Sequence, residues 1–188
     1  MENLWSEEEA AEKKGVELLV YQSRLIGSDT SLVIWGGGNT SIKTKDTDFR
    51  GRPLDAMIVK GSGSDLRTIQ PKHFPSLRLD DILPLMEKDT MSDDDMVGYL
   101  AQCMIDPKAP RPSIETLLHA FIPYHSVVHS HSDAIVALTN TEGSVPRLKE
   151  IYNERVSIIE YIRPGYKLSK LVGQTIAHNP NIDGVILM

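Results

Sequence analysis

The residues best placed to do chemistry are two histidines in Val127-Val128-His129-Ser130-His131. On a strand, positions i and i+2 point to the same side, roughly 6.5–7 Å apart. Two imidazoles at that spacing fit one bound metal ion, and zinc accepts neutral imidazole readily. They fit equally a pair of hydrogen-bonded, half-buried side chains. A second signal lies just upstream, in Pro112-Ser113-Ile114-Glu115-Thr116-Leu117-Leu118-His119. Glu115 falls in the first turn of a helix, where a carboxylate complements the helix dipole. Beside a metal the same group serves as ligand or general acid/base. His119, four residues on, shares its face and reads as a supporting residue behind the site.

Two glycine loops form the third signal, Gly36-Gly37-Gly38-Asn39-Thr40-Ser41 and Gly61-Ser62-Gly63-Ser64. Turns of this kind expose backbone N–H groups and can cradle phosphate without a basic patch; they also serve as plain turns. Neither is a P-loop, since no Gly-Lys-Ser/Thr follows at the required spacing. Nor does the first spell a dinucleotide fingerprint, because Ser41 stands at its third glycine position.

The elements that must hold these residues alternate in type. Ser6 and Glu9 have capping-box spacing, and an amphipathic helix is expected from there to about Leu25, ended by Gly27. Strands are expected over 31–35, 41–44, 56–60, 127–131, 156–162 and 182–188. Helices are expected over 80–88 despite Pro84, from the Ser92 cap to Met104, over 113–121, 133–138 and 168–178. Residues 106–112 read as a loop. The pattern is α/β in one domain, residues 1–188.

The net charge of -6 excludes a global field for nucleic acid, so any bound anion needs local donors. Cys103 is the single cysteine, which excludes an internal disulfide, and its apolar neighbours mark it as a buried spacer. The acidic N-terminus lacks the apolar core of a signal peptide, no run reaches the roughly 18 apolar residues of a membrane span, and a cytoplasmic location is expected. The segment NIDGVILM stops inside an apolar element, so a chain truncated at its C-terminal side is expected.

Taken in order, the motifs GGGNTSIK, VKGSGSDL and RPSIETLLHAFIPYHSVVHSHSDA resemble the class II aldolase/adducin family, from about Ser31 onward. Within it they resemble most the aldolase portion of bifunctional rhamnulose-1-phosphate aldolase/alcohol dehydrogenase proteins. The resemblance implies a three-layer α/β/α fold around a mainly antiparallel sheet, assembled as a tetramer. It implies zinc, or another divalent transition metal, on His129 and His131, with Glu115 as the catalytic acid/base. It implies substrate phosphate held by Gly38, Asn39, Gly61, Ser62, Gly63 and Ser113. The activity implied is cleavage of a ketose 1-phosphate to dihydroxyacetone phosphate and an aldehyde. The alternatives are a sugar-phosphate epimerase or dehydratase on the same scaffold, or a non-catalytic adducin-like module. Ile114 replaces a phosphate-binding serine of simpler members. The family's third metal histidine, in a His-Gly pair beyond the DGVILM strand, lies outside this sequence, and His73, His125 and His178 do not occupy that motif.

Overall fold

The computed structural model describes residues 3–188. Helix α1 (Glu7–Ala11) starts where the Ser6 hydroxyl accepts the Glu9 N–H at 3.3 Å. The chain then breaks at Gly15, whose φ of +54° no helix tolerates, and helix α2 (Val16–Ser28) begins afresh. The expected single helix is therefore two. Gly27 does not end α2 but lies inside it. A Cβ there would sit 2.3 Å from the Arg67 nitrogen and 2.5 Å from the Leu66 carbonyl carbon, so glycine serves a close helix–loop approach.

Residues 31–35 are not the expected strand. Leu32 and Val33 donate to the Asp29 carbonyl, Gly37 donates to that of Ile34, and Trp35 (φ +35°) and Gly36 (φ +73°) reverse the chain. The local turn wins because Asp29 also takes the Ser31 N–H and hydroxyl, at 2.9 and 2.6 Å. Apolar content misled here: Ile34 and Trp35 are exposed.

Strands β1 (Asn39–Thr47), β2 (Pro53–Val59) and β3 (Ser76–Arg78) follow. Helix α3 (Leu79–Ile82) passes into a 3-10 turn over Leu83–Glu87. Pro84 has no N–H for the α ladder, which is why the expected continuous helix splits. Helix α4 (Asp93–Cys103) is capped by Ser92, as expected, through the Asp95 N–H at 3.1 Å. Helix α5 (Thr116–Phe121), strand β4 (Ser126–His129), helices α6 (Asp133–Thr139) and α7 (Ser144–Tyr152), strand β5 (Val156–Ile159), helix α8 (Tyr166–His178) and strand β6 (Gly184–Leu187) complete the order.

The main sheet runs β3-β2-β1-β4 and is antiparallel throughout, and β5 and β6 form a separate parallel pair. Alternation along β2 explains the layering. Met57 and Val59 face a core with Leu77, Met96, Leu100 and Leu117, whereas Ile58 faces Leu19, Ile42 and Ile69 under α2. Helices thus cover both faces, giving the expected α/β fold with its antiparallel central sheet. A third core, Leu118, Ile159, Leu168, Val172 and Ile176, joins α5 to α8 and β5. All six residues of α5 are buried because Leu117 and Leu118 face different cores.

Candidate functional site

The register of β1 against β4 creates the site, because Asn39 pairs directly with His129. Asn39 is fully buried, and its amide donates to Glu115 Oε2 at 3.1 Å. Glu115 precedes α5, and its own N–H is held by the Ser113 hydroxyl at 3.2 Å. Its other oxygen, Oε1, lies 3.1 Å from His129 Nδ1, a contact without hydrogen-bond alignment that leaves this nitrogen unsatisfied. Burial pushes the Glu115 carboxyl up, but contact with His129 and the Asn39 amide outweighs it and holds the group at about 2. It is a carboxylate at neutral pH.

His119 projects from α5 into the same cluster and is fully buried. Its Nδ1 is 2.8 Å from the Ser41 hydroxyl, and its Nε2 has no partner. Burial, reinforced by the neighbouring His129, lowers its pKa to about 3, so the ring is neutral. Behind it Lys43 Nζ donates to the carbonyls of His119, Ile122 and Tyr124 at 3.0, 2.5 and 3.0 Å, binding the end of α5 to β1.

His131 lies past the end of β4, so the expected strand stops one residue pair short. Its N–H donates to the Leu32 carbonyl at 2.8 Å, and that of Asp133 to Ser31 at 2.8 Å. The turn that replaced the expected strand thus positions this histidine. Its ring still lies beside that of His129, centroids 4.9 Å apart. Burial lowers its pKa, as does the neighbouring His129.

Among the described residues, Glu115, His119 and His129 offer ligand atoms all within 4.8 Å of one another. His131 is adjacent to this set rather than inside it. The donor chemistry suits a divalent transition metal: imidazole nitrogens, an ionised carboxylate, and two buried nitrogens, His119 Nε2 and His129 Nδ1, without partners. By residue type and position alone, His119 has a supporting role. Its bond to Ser41 fits that role; its orphaned Nε2 goes further, and the i,i+4 spacing from Glu115 was the signal.

The glycine loops differ from expectation in what they offer. The N–H of Gly61 already donates to the His73 carbonyl, and that of Ser62 to Arg111, each at 2.8 Å, so neither is free to cradle an anion. At Gly38, φ +67°, a Cβ would lie 2.6 Å from Val33 Cγ1 and 2.9 Å from the His129 carbonyl oxygen, a packing constraint. Gly63, φ +76°, is open. Ser113 donates its N–H to the Lys60 carbonyl at 3.2 Å, which ties the second loop to the start of α5. Cys103 is buried, and burial, with Asp81 nearby, pushes its thiol up to about 11, as a spacer requires.

Glu115, His129 and His131 form the polar end of a groove of about 540 Å³ between β4 and β6, whose walls include Leu118, Val128 and Leu187. Among the described residues no helix is long and apolar enough to cross a membrane.

Residues 17–188 match the family described as Class II Aldolase and Adducin N-terminal domain, and the chain belongs to that family. It is 50% identical over 188 residues to a Bacillus subtilis protein named uncharacterized oxidoreductase YuxG. The match covers all of this chain and 27% of YuxG, so the chain spans about a quarter of that relative's length. The N-terminal class II aldolase domain of a conserved Thermoplasma acidophilum protein superposes with a TM-score of 0.90 at 44% identity, covering 100% of this chain and 85% of that one. An L-fuculose-1-phosphate aldolase from Thermus thermophilus shares the fold, with a TM-score of 0.51 at 15% identity over 89% of this chain and 74% of that one.

Proposed function

We propose that residues 1–188 form the aldolase domain of a metal-dependent lyase that cleaves a ketose 1-phosphate, of the rhamnulose- or fuculose-1-phosphate type, to dihydroxyacetone phosphate and an aldehyde. One observation carries the reading. An ionised Glu115 sits 3.1 Å from His129, among buried imidazole nitrogens that have no protein partner. A purely structural cluster would satisfy those nitrogens within the protein.

His129 and His131 would hold the metal, zinc by preference, with Glu115 beside them and the free Nε2 of His119 behind. Bound there, the metal supplies Lewis-acid polarisation of the substrate carbonyl. Glu115 moves the proton at the carbon next to that carbonyl, its carboxylate kept ionised and aimed by the Asn39 amide. Asn39, with Gly38 and the open Gly63 of the second loop, orients the phosphate end, the Gly61 and Ser62 N–H groups being committed to His73 and Arg111, and Ser113 fixes the backbone at Glu115. The apolar groove walls receive the aldehyde portion. The domain works in the cytoplasm as part of a homotetramer.

Elemental analysis of the purified chain, against a His129→Ala, His131→Ala control, tests the metal. About one zinc per chain, lost in the control, is expected; a folded chain that takes up none sinks the assignment. Product analysis with a panel of ketose 1-phosphates tests the reaction. Release of dihydroxyacetone phosphate is expected, and an epimerised or dehydrated product instead places the domain with another reaction on this scaffold.

A further inference from the structure

The two ring nitrogens of the fully buried His119 meet different surroundings. Nδ1 lies 2.8 Å from the Ser41 hydroxyl, itself only 1% exposed, while Nε2 has no partner. The residue is fixed at both ends of its backbone. Its N–H donates to the Glu115 carbonyl at 3.1 Å, and its carbonyl accepts from Lys43 Nζ at 3.0 Å. The ring is neutral, so its single proton sits on one nitrogen or the other. Hydrogen bonding decides which. Among the described residues the Ser41 hydroxyl has no side-chain or backbone partner except Nδ1. Were Nδ1 the donor, the hydroxyl proton would be buried without an acceptor, a second unsatisfied group beside Nε2. Ser41 therefore donates, Nδ1 accepts, and the ring proton stays on Nε2, by about tenfold or more.

Glu115, His119 and His129 gather donor atoms within 4.8 Å of one another, and with Nδ1 engaged by Ser41 it is Nε2 that His119 has left for the other two. A protonated Nε2 has no lone pair to give a metal ion. It offers instead the positive end of an N–H dipole beside the Glu115 carboxylate. No hydrogen bond joins the two, and the dipole acts across the gap, where low local polarity strengthens it. From this arrangement we infer that Ser41 sets His119 as the Nε2–H tautomer, and that His119 is a positioning residue for the Glu115 carboxylate and not a metal ligand. The inference rests on Glu115 as the acid/base of the proposed reaction and adds the Ser41–His119 pair that steadies it.

The first test is nuclear magnetic resonance of the whole chain labelled with 15N-histidine, without metal, where couplings to the ring carbons' protons report which nitrogen is protonated. His119→Gln assigns the signal by its disappearance. A proton on Nε2 is expected, and added zinc should leave it in place. A proton on Nδ1, or loss of the Nε2 proton when zinc is added, makes His119 a ligand and overturns the inference. Positioning is read in turnover of L-rhamnulose 1-phosphate and L-fuculose 1-phosphate. Glutamine keeps an acceptor for Ser41 and a donor toward Glu115, whereas leucine has neither. His119→Leu is expected to lose about tenfold or more in kcat with KM within about twofold, and His119→Gln to recover most of that loss. Equal impairment of the two variants at equal melting temperature marks a merely structural histidine and overturns the positioning role. Should the variants fail to fold, uniform 13C and 15N labelling assigns the ring in the parent through bonds, and the Nε2 proton with and without zinc decides. A parent active on neither sugar phosphate counts against the proposed reaction, whereas the tautomer, read without metal or substrate, still supports or overturns the assignment of His119.

Discussion

Glu115 depends on its neighbours for its state. Burial alone would favour the neutral acid, and the contacts with His129 and Asn39 reverse that preference. Glu115→Gln keeps the volume and removes the charge. Turnover is expected to fall by about a hundredfold or more with the far-ultraviolet circular dichroism unchanged; an equally active variant would remove Glu115 from the mechanism. Cys103 illustrates the opposite case, a titratable group held neutral. Its folded pKa, about 11, lies above the ordinary thiol value of 9, so the unfolded chain releases its proton first as pH rises. Its contribution to stability is complete below pH 9 and is lost as pH climbs through 11. Iodoacetamide at pH 8 should therefore label Cys103 at the rate of unfolding, measurable by mass spectrometry; fast labelling of the native chain would contradict the buried setting.

At the scale of elements, legibility followed the strength of the local signal. The Ser92 cap announced α4, whereas burial of the sheet on both faces emerges only from the packing of Met57 and Val59 on one side and Ile58 on the other. Gly27 reads as a helix end but lies inside α2, whereas Gly15, inside the expected single helix, is where the chain breaks. Only the approach of Leu66 and Arg67, distant in sequence, explains why Gly27 belongs inside a helix. For the same reason residues 31–35 looked like a strand: their hydrogen bonds are decided by Asp29 and by the 131–133 loop, not by their own hydrophobicity. Residue type and spacing single out Glu115 and His129, and the fold brings them to 3.1 Å. The orphaned Nε2 of His119 was not legible, since it depends on Ser41 taking the other nitrogen. Gly27→Ala should destabilise the fold by about 1–3 kcal/mol, the usual cost of overpacking, despite alanine's better helix propensity. A urea midpoint equal to or above the parent's would show that the loop moves aside freely.

For the whole molecule, the site is a junction. Asn39 comes from β1, His129 from β4, Glu115 and His119 from the start and body of α5, and His131 from the loop after β4. A ligand held by several of them ties together segments far apart in sequence. Binding to the folded state alone raises stability by RT ln(1 + [L]/Kd), about 2.7 kcal/mol at a hundredfold excess over Kd. Zinc is accordingly expected to raise the melting temperature of the parent, chelation to reverse the rise, and His129→Ala with His131→Ala to abolish it. A metal-independent melting curve in the parent would argue against a shared donor set.

The complete burial of α5 has a consequence in time. Amide protons exchange with solvent only when their hydrogen bonds open, and openings range from local fraying to global unfolding. Helix α5 has no exposed residue, packs between two cores, and is fastened at its end by Lys43. Its amides should exchange with the slowest, globally limited set, whereas those of the exposed Ile34–Trp35 turn should exchange early. Glu115 thus stands at the head of a segment expected to open among the slowest, while the strip of chain that steers His131 belongs to a faster clock.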